Sequence, residues 1–188
     1  MRIGRALAQA LAADGFFVFV HYNRSAAGAR ATVAAIAAAG GRAKAVRADL
    51  SSARQAEALV PKCRARGVRL TCLVNNASLF KLDRAPTVRA ADFDLNMAIN
   101  LRGPLLLSQA LARQLPAGES GLIVNVLDQK LFNLNPDFLS YTLSKIGLHG
   151  LTTLLAQSFA PRLRVAGIAP GLTLRSGSQT DARFSAQH

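Results

Sequence analysis

Residues 122–145 read LIVNVLDQKLFNLNPDFLSYTLSK: an apolar strand with an acid at its end, a loop, and a tyrosine opening a helix. Tyr141 and Lys145 are four apart. On a helix they share one face, where the cation can lower the phenol from its ordinary pKa of about 10. That pairing makes a phenol usable as an acid near neutral pH. Tyr and Lys at this spacing also occur by chance on helix surfaces, so the pair takes its meaning from the rest of the chain.

Upstream, Ile3, Leu7, Ala10 and Leu11 recur at helical spacing, and Gly15 supplies a stop, which predicts a helix from Ile3 to Ala13. FFVFVHY, Phe16 to Tyr22, is a continuous apolar β-prone run that suits a strand buried on both faces, as in parallel sheets. Ser25 can cap a second helix running to Ala39, which Gly40 and Gly41 end. A short strand, Arg42 to Arg47, leads through Asp49 and Leu50 to a third helix capped by Ser51 or Ser52, with Pro61 breaking it or sitting at its irregular end.

LTCLV, Leu70 to Val74, reads as a buried strand entering Asn75-Asn76-Ala77-Ser78. A mobile-looking segment, KLDRAPTVRAA, then precedes a long helix from about Asp92 to Gln114. Leu122 to Leu127 form the next strand, Phe138 to Phe159 the next helix and Leu163 to Ala169 the last strand, and the polar tail Arg175 to His188 is expected to fray. Strands alternating with helices in this way predict an α/β fold, a doubly wound parallel sheet with right-handed crossovers and helices on both faces.

A chain of 188 residues suits one domain, and 51% hydrophobic content with a mean hydropathy of +0.22 supports a substantial core. No run reaches the roughly 18 to 20 uncharged apolar residues of a membrane span, and the N-terminus lacks a cleavage signal, so a cytoplasmic protein without membrane association is expected. Cys63 and Cys72 have no metal-ligand spacing, so no metal is expected, and they read as incidental thiols. The net charge of +13 invites a nucleic-acid reading. The basic residues are mostly arginines scattered singly, without aromatic interleaving, which argues against that partner and leaves a field suited to a charged coenzyme phosphate.

Several of these motifs fall at the carboxyl ends of strands, where doubly wound sheets bind ligands. Asn75-Asn76-Ala77, Asn100 in the long helix, Tyr141-x-x-x-Lys145 and Pro170-Gly171 after the last strand stand in the order and spacing of the short-chain dehydrogenase/reductase family, which the chain resembles over nearly all its length. Most members carry serine thirteen residues before the tyrosine; here that position is Asp128. With the HYNRS and NNASLF stretches, this aspartate makes the chain similar to the pteridine reductase branch, which includes dihydromonapterin and dihydrofolate reductases.

The resemblance implies Tyr141 as proton donor, Lys145 holding the phenol acidic and contacting the nicotinamide ribose, and Asn100 bracing the lysine through a water. Asp128 would relay protons or orient a pterin; its alternative is an ordinary turn residue. A carboxylate polarises a ketone poorly, so the swap argues against an alcohol or ketone substrate. Phe80 would sandwich a pterin against the nicotinamide, the alternative being a core or lid phenylalanine.

After the second strand, where an acid would mark NAD, stand Asn23, Arg24 and Ser25, which suit a 2′-phosphate and predict NADPH. By resemblance Asp49 touches adenine with Leu50 beside it, and Asn75 and Ala77 line the ribose. Ser78, Pro170 and Gly171 complete the coenzyme site, and Arg2 takes the place of a phosphate-loop arginine able to touch both pyrophosphate and pterin.

Only Arg2, Ile3 and Gly4 match the family's opening strand and glycine-rich turn, and the chain stops before its final helix and strand. The expectation is one Rossmann-like dinucleotide-binding domain over residues 1–188, incomplete at both termini, with two strand edges left facing each other. Ala166, where an asparagine is usual, is a smaller departure. Three functions follow: an NADPH-dependent reductase of a pterin or folate-type substrate; a noncatalytic fragment or binding module of the same fold; or a reductase of another carbonyl or imine. The two long helices are apolar enough to pair subunits into a homo-oligomer, dimer or tetramer.

Overall fold

The β-branched and aromatic run at residues 17–22 forms strand β1 (Phe17–Tyr22), and the chain around it alternates strand and helix in the computed structural model, which describes residues 3–63 and 67–171. The elements are α1 (Ile3–Ala13), β1, α2 (Ala26–Ala38), β2 (Arg42–Arg47), α3 (Ala53–Lys62), β3 (Cys72–Asn75), α4 (Ala90–Met97), α5 (Gly103–Gln114), β4 (Gly121–Val126), α6 (Leu139–Phe159) and β5 (Leu163–Ile168). Arg2 and the tail from Arg175 lie outside the described residues.

The strands form two parallel sheets. β1 pairs with β2, Phe17 opposite Arg42 and Tyr22 opposite Arg47. The second sheet has the order β3-β4-β5, with Asn75 opposite Asn125 and Val126 opposite Ile168. β1 and β3, each at the edge of its sheet, both line one cleft.

Successive side chains of a strand point to opposite faces, and the cores follow that period of two. Phe19 and Val46 pack with Leu59 and Val60 of α3, Leu107 and Ala110 of α5, and Leu73 of β3, so this helix layer bridges both sheets. Val18, Val20 and Ala43 turn the other way onto Ala8 and Ala12 of α1 and Ile36 of α2. Leu111, Leu115, Ile123 and Leu163 close the core around β4 and β5. Helices thus cover both faces, as the alternating pattern predicts.

Local chemistry differs from expectation in three places. Ser25 stands at the N-cap of α2 without a side-chain capping bond, whereas Ser52 accepts from the Gln55 N–H and caps α3, which keeps Pro61 in its last turn. The strand predicted from Leu70 is ordered from Cys72. The helix predicted as one piece to Gln114 is α4 and α5 joined by a π turn, Ala98–Arg102. Pro104 explains the join: it has no N–H for the carbonyl of Asn100, and its ring crowds that carbonyl, so the ladder widens there.

Candidate active site

Lys145, Leu148, Thr152 and Leu155 continue the line of Tyr141 down α6, and all five are buried. Tyr141 and Lys145 therefore share the inward face, as their spacing predicts. β4 ends at Val126, and Asp128 follows two residues on, the N-cap of a short 3-10 turn at Gln129–Leu131. Its Oδ1 accepts from the Lys130 N–H at 2.8 Å, and its Oδ2 accepts from the Tyr141 hydroxyl at 2.5 Å. Asp128 is thus a turn residue and a partner of the tyrosine at once.

Lys145 donates to the Val126 carbonyl at 2.6 Å, and its Nζ stands 5.6 Å from the centre of the Tyr141 ring. Burial pulls the ammonium down to about 8, with Asp128 pulling the other way. The phenol moves opposite to the expectation from Lys145: burial first, then the hydrogen bond and negative charge of Asp128, push it well above its ordinary value. A carboxylate in contact outweighs a cation beyond contact distance.

The π turn presents Asn100 inward, 1% exposed. Its Oδ1 accepts from the Leu79 N–H at 2.8 Å, and its Nδ2 donates to the Leu79 carbonyl at 3.0 Å and to Ser144 Oγ at 2.9 Å. The described contacts join Asn100 to the strand exit before Phe80 and to Ser144 of α6. Phe80 is 57% exposed, stacks on Phe138 with centroids 4.1 Å apart, and meets Tyr141 edge-on at 4.7 Å.

The cleft, about 1180 Å³, gathers the other residues. Asn23, Arg24, Ser25, Asp49, Leu50, Asn75, Ala77, Ser78, Phe80, Asp128, Tyr141, Lys145, Pro170 and Gly171 all line it. Asn100 stands behind it, and Arg2 lies outside the described residues. Arg24 is exposed, and no carboxylate occupies the 23–25 turn. Asp49 is held low by the Ser51 hydroxyl and N–H, which outweigh its desolvation, with Arg24 and Arg47 adding to the effect.

Asn75 donates to Asn125 Oδ1 at 2.8 Å, and Asn125 donates to Thr152 Oγ1 at 2.9 Å, a buried polar chain from β3 through β4 to α6. The Asn75 Oδ1, also buried, has no hydrogen-bond partner among the described residues. Sequence reasoning missed Asn125 and Thr152, although a single asparagine inside LIVNV was a visible irregularity. It also missed Ser144, which accepts from Asn100 and donates to the Tyr141 carbonyl at 2.6 Å.

Among the described residues, no helix is long and apolar enough to cross a membrane, and no group of three or more His, Cys, Asp or Glu is placed to hold a metal ion.

Residues 2–185 match the family model described as short chain dehydrogenase. The chain is similar to the crystal structure of FolM alternative dihydrofolate reductase 1 from Brucella canis complexed with NADP: 42% identity and a TM-score of 0.92, covering 100% of this chain and 74% of that one. It is 39% identical over 179 residues to an uncharacterized oxidoreductase of Methylorubrum extorquens, covering 95% of this chain and 71% of the relative. A 3-oxoacyl-[acyl-carrier-protein] reductase of Synechocystis sp. is 34% identical over 170 residues, covering 90% of this chain and 69% of the relative. The chain therefore spans about seven-tenths of the length of these proteins.

Proposed function

The chain belongs to the short-chain dehydrogenase/reductase family, and from that premise we propose that it is an NADPH-dependent reductase of a pterin or dihydrofolate-type substrate. The observation that carries this reading is the 2.5 Å hydrogen bond from the Tyr141 hydroxyl to Asp128. A serine-type site offers a ketone a hydroxyl at that position; a carboxylate suits ring nitrogens and amino groups that exchange protons. The similarity to a dihydrofolate reductase crystallised with NADP supports both substrate class and coenzyme.

The donor set fits NADP. Arg24 can pair with a 2′-phosphate, the turn carries no acid to repel it, and the unpartnered Asn75 Oδ1 offers an acceptor at the cleft. Asn23, Ser25, Asp49, Leu50, Ala77, Ser78, Pro170 and Gly171 would complete the contact along the cleft they line. NADPH, when bound, supplies the hydride.

The chain's own residues manage the proton. Tyr141 Oη gives its proton to the substrate and takes one back from solvent by way of the half-buried Asp128, whose Oδ2 accepts from the hydroxyl. Lys145, held on the Val126 carbonyl, limits the negative charge that builds up at the pair, and Asn100 fixes the Leu79 backbone from which Phe80 projects. Phe80 offers an exposed ring for a flat heteroaromatic.

The test is NADPH oxidation with dihydrobiopterin, dihydromonapterin and dihydrofolate in turn. Turnover of at least one supports the reading; folded protein that oxidises NADPH with none of the three, yet does so with a 3-oxoacyl thioester, assigns it to carbonyl reduction instead.

A further inference from the structure

Helix α6 holds Tyr141 in its first turn, yet it begins without a cap of its own. Phe138 takes the N-cap place in a left-handed conformation, φ 61°, and its side chain offers no acceptor. The first N–H groups of a helix have no partner within it.

Their partner is Asp83, distant in sequence. The Ser140 N–H donates to Asp83 Oδ1 at 3.1 Å, and the Ser140 hydroxyl donates to Oδ2. The N–H groups of Phe138 and Leu139 donate to the Asp83 carbonyl at 3.0 and 3.3 Å. Ser140 is fully buried and Asp83 half-buried, so the bonds between them are partly shielded from water, and the carboxylate sits at the positive end of the helix dipole.

Asp83 belongs to the segment that leaves Phe80, and ion pairs fasten that segment on either side. Lys81 pairs with Asp92 at 2.7 Å and Arg84 with Asp137 at 2.6 Å. Phe80 in turn stacks on Phe138 and meets the edge of Tyr141. One carboxylate therefore ties the loop bearing the exposed aromatic to the helix turn bearing the phenol.

We propose that Asp83 is a positioning residue for Tyr141, capping α6 from outside the helix and locking the Phe80 loop to its first turn. The proposal rests on reading Tyr141 as the proton donor, but its main test needs no turnover. The charges that bear on the phenol are Asp128, in contact, and Lys145, behind its ring; Lys130 lies 5.4 Å from the Phe138 ring.

The chain has two tyrosines, so Tyr22→Phe leaves Tyr141 as the sole reporter in an ultraviolet tyrosinate titration. In that background Asp83→Ala loosens the first turn, wets the phenol and brings its titration down by about one pH unit or more. In the otherwise native chain the same change lowers kcat about tenfold or more while leaving KM for NADPH unchanged. Asp83→Asn, which keeps an acceptor for the Ser140 N–H, recovers most of both. If Asp83→Ala does not fold, Ser140→Ala, which removes only the hydroxyl contact, shows a smaller shift in the same direction. A folded Asp83→Ala, or failing that Ser140→Ala, with lowered Tm but unchanged tyrosinate titration and kcat, overturns the proposal and leaves Asp83 a stabilising cap only. A shifted titration in a protein that reduces no pterin upholds the positioning and removes the substrate reading.

Discussion

The Tyr141 hydroxyl is given to Asp128 at 2.5 Å, while Lys145, one turn further along the same helix, donates to the Val126 carbonyl at 2.6 Å. The proton of the phenol is therefore controlled by a carboxylate more than by the cation its spacing brings to mind. Asp128→Ser is expected to cut pterin reduction by roughly 100- to 10,000-fold, the usual range for a group that moves a proton in the transition state. Steady-state rates with NADPH and the best pterin measure it; full activity in Asp128→Ser would leave the carboxylate a turn former alone.

Lys145 makes a stability prediction whose sign follows from burial. Its ammonium is pulled down from 10.5 to about 8, so below that pH the native state carries a charge it holds poorly, a cost of about 3 kcal/mol at most. Between pH 8 and 10 the unfolded chain keeps a proton on Lys145 that the native chain has released, so this group makes stability rise with pH, opposed from about pH 9 by the buried Cys63 thiol, which burial pushes up to about 11. Above about pH 10 the raised Tyr141 acts in reverse, because the native phenol keeps a proton that the unfolded one loses. Lys145→Met is expected to be inactive, more stable than the native chain at pH 7, and flatter across the window. Urea midpoints at one-unit steps from pH 7 to about 10 test this; parallel curves for the two proteins would refute the buried-charge account.

Arg24 is the positive group at the turn where an acid would select NAD. Arg24→Asp is expected to raise KM for NADPH about tenfold or more and to lower that for NADH, because a carboxylate repels a 2′-phosphate and accepts from a 2′-hydroxyl. Paired kinetics with the two coenzymes decide it. An unchanged preference would move phosphate recognition elsewhere, Arg47 being the nearest candidate, since it donates to the Asn23 carbonyl at 3.3 Å.

The elements and the residues of the cleft were legible because their signals are local. FFVFVHY is a strand by composition, and Tyr141 and Lys145 face one way by helical period. Contacts made across long separations were not. Asp83 lies in a stretch that looks mobile, and nothing near it announces that it caps a helix beginning at Leu139. The direction of the Tyr141 shift was missed for a related reason: spacing shows that Lys145 is on the same face, but not how deeply the phenol is buried or that Asp128 is closer. The π turn that brings in Asn100 did have a local sign in Pro104, a residue that an uninterrupted helix does not tolerate.

Gly121 gives a prediction about packing alone. It begins β4 opposite Leu163 of β5, and a Cβ placed there would stand 2.7 Å from the Thr71 carbonyl oxygen and 2.8 Å from Leu163 Cδ2. One of these is backbone and cannot turn aside, so the strands must part for any side chain. Gly121→Ala is expected to cost about 1–3 kcal/mol, the usual range for overpacking, despite removing backbone freedom from the unfolded chain. Gly150 is the control: it lies in α6, and a Cβ there would meet nothing within 4 Å, so Gly150→Ala is expected to be stabilising by about 0.5–1 kcal/mol through helix propensity. Urea denaturation of the two variants should move in opposite directions, and a neutral Gly121→Ala would mean that β3 and β5 yield where the geometry says they are closed on β4.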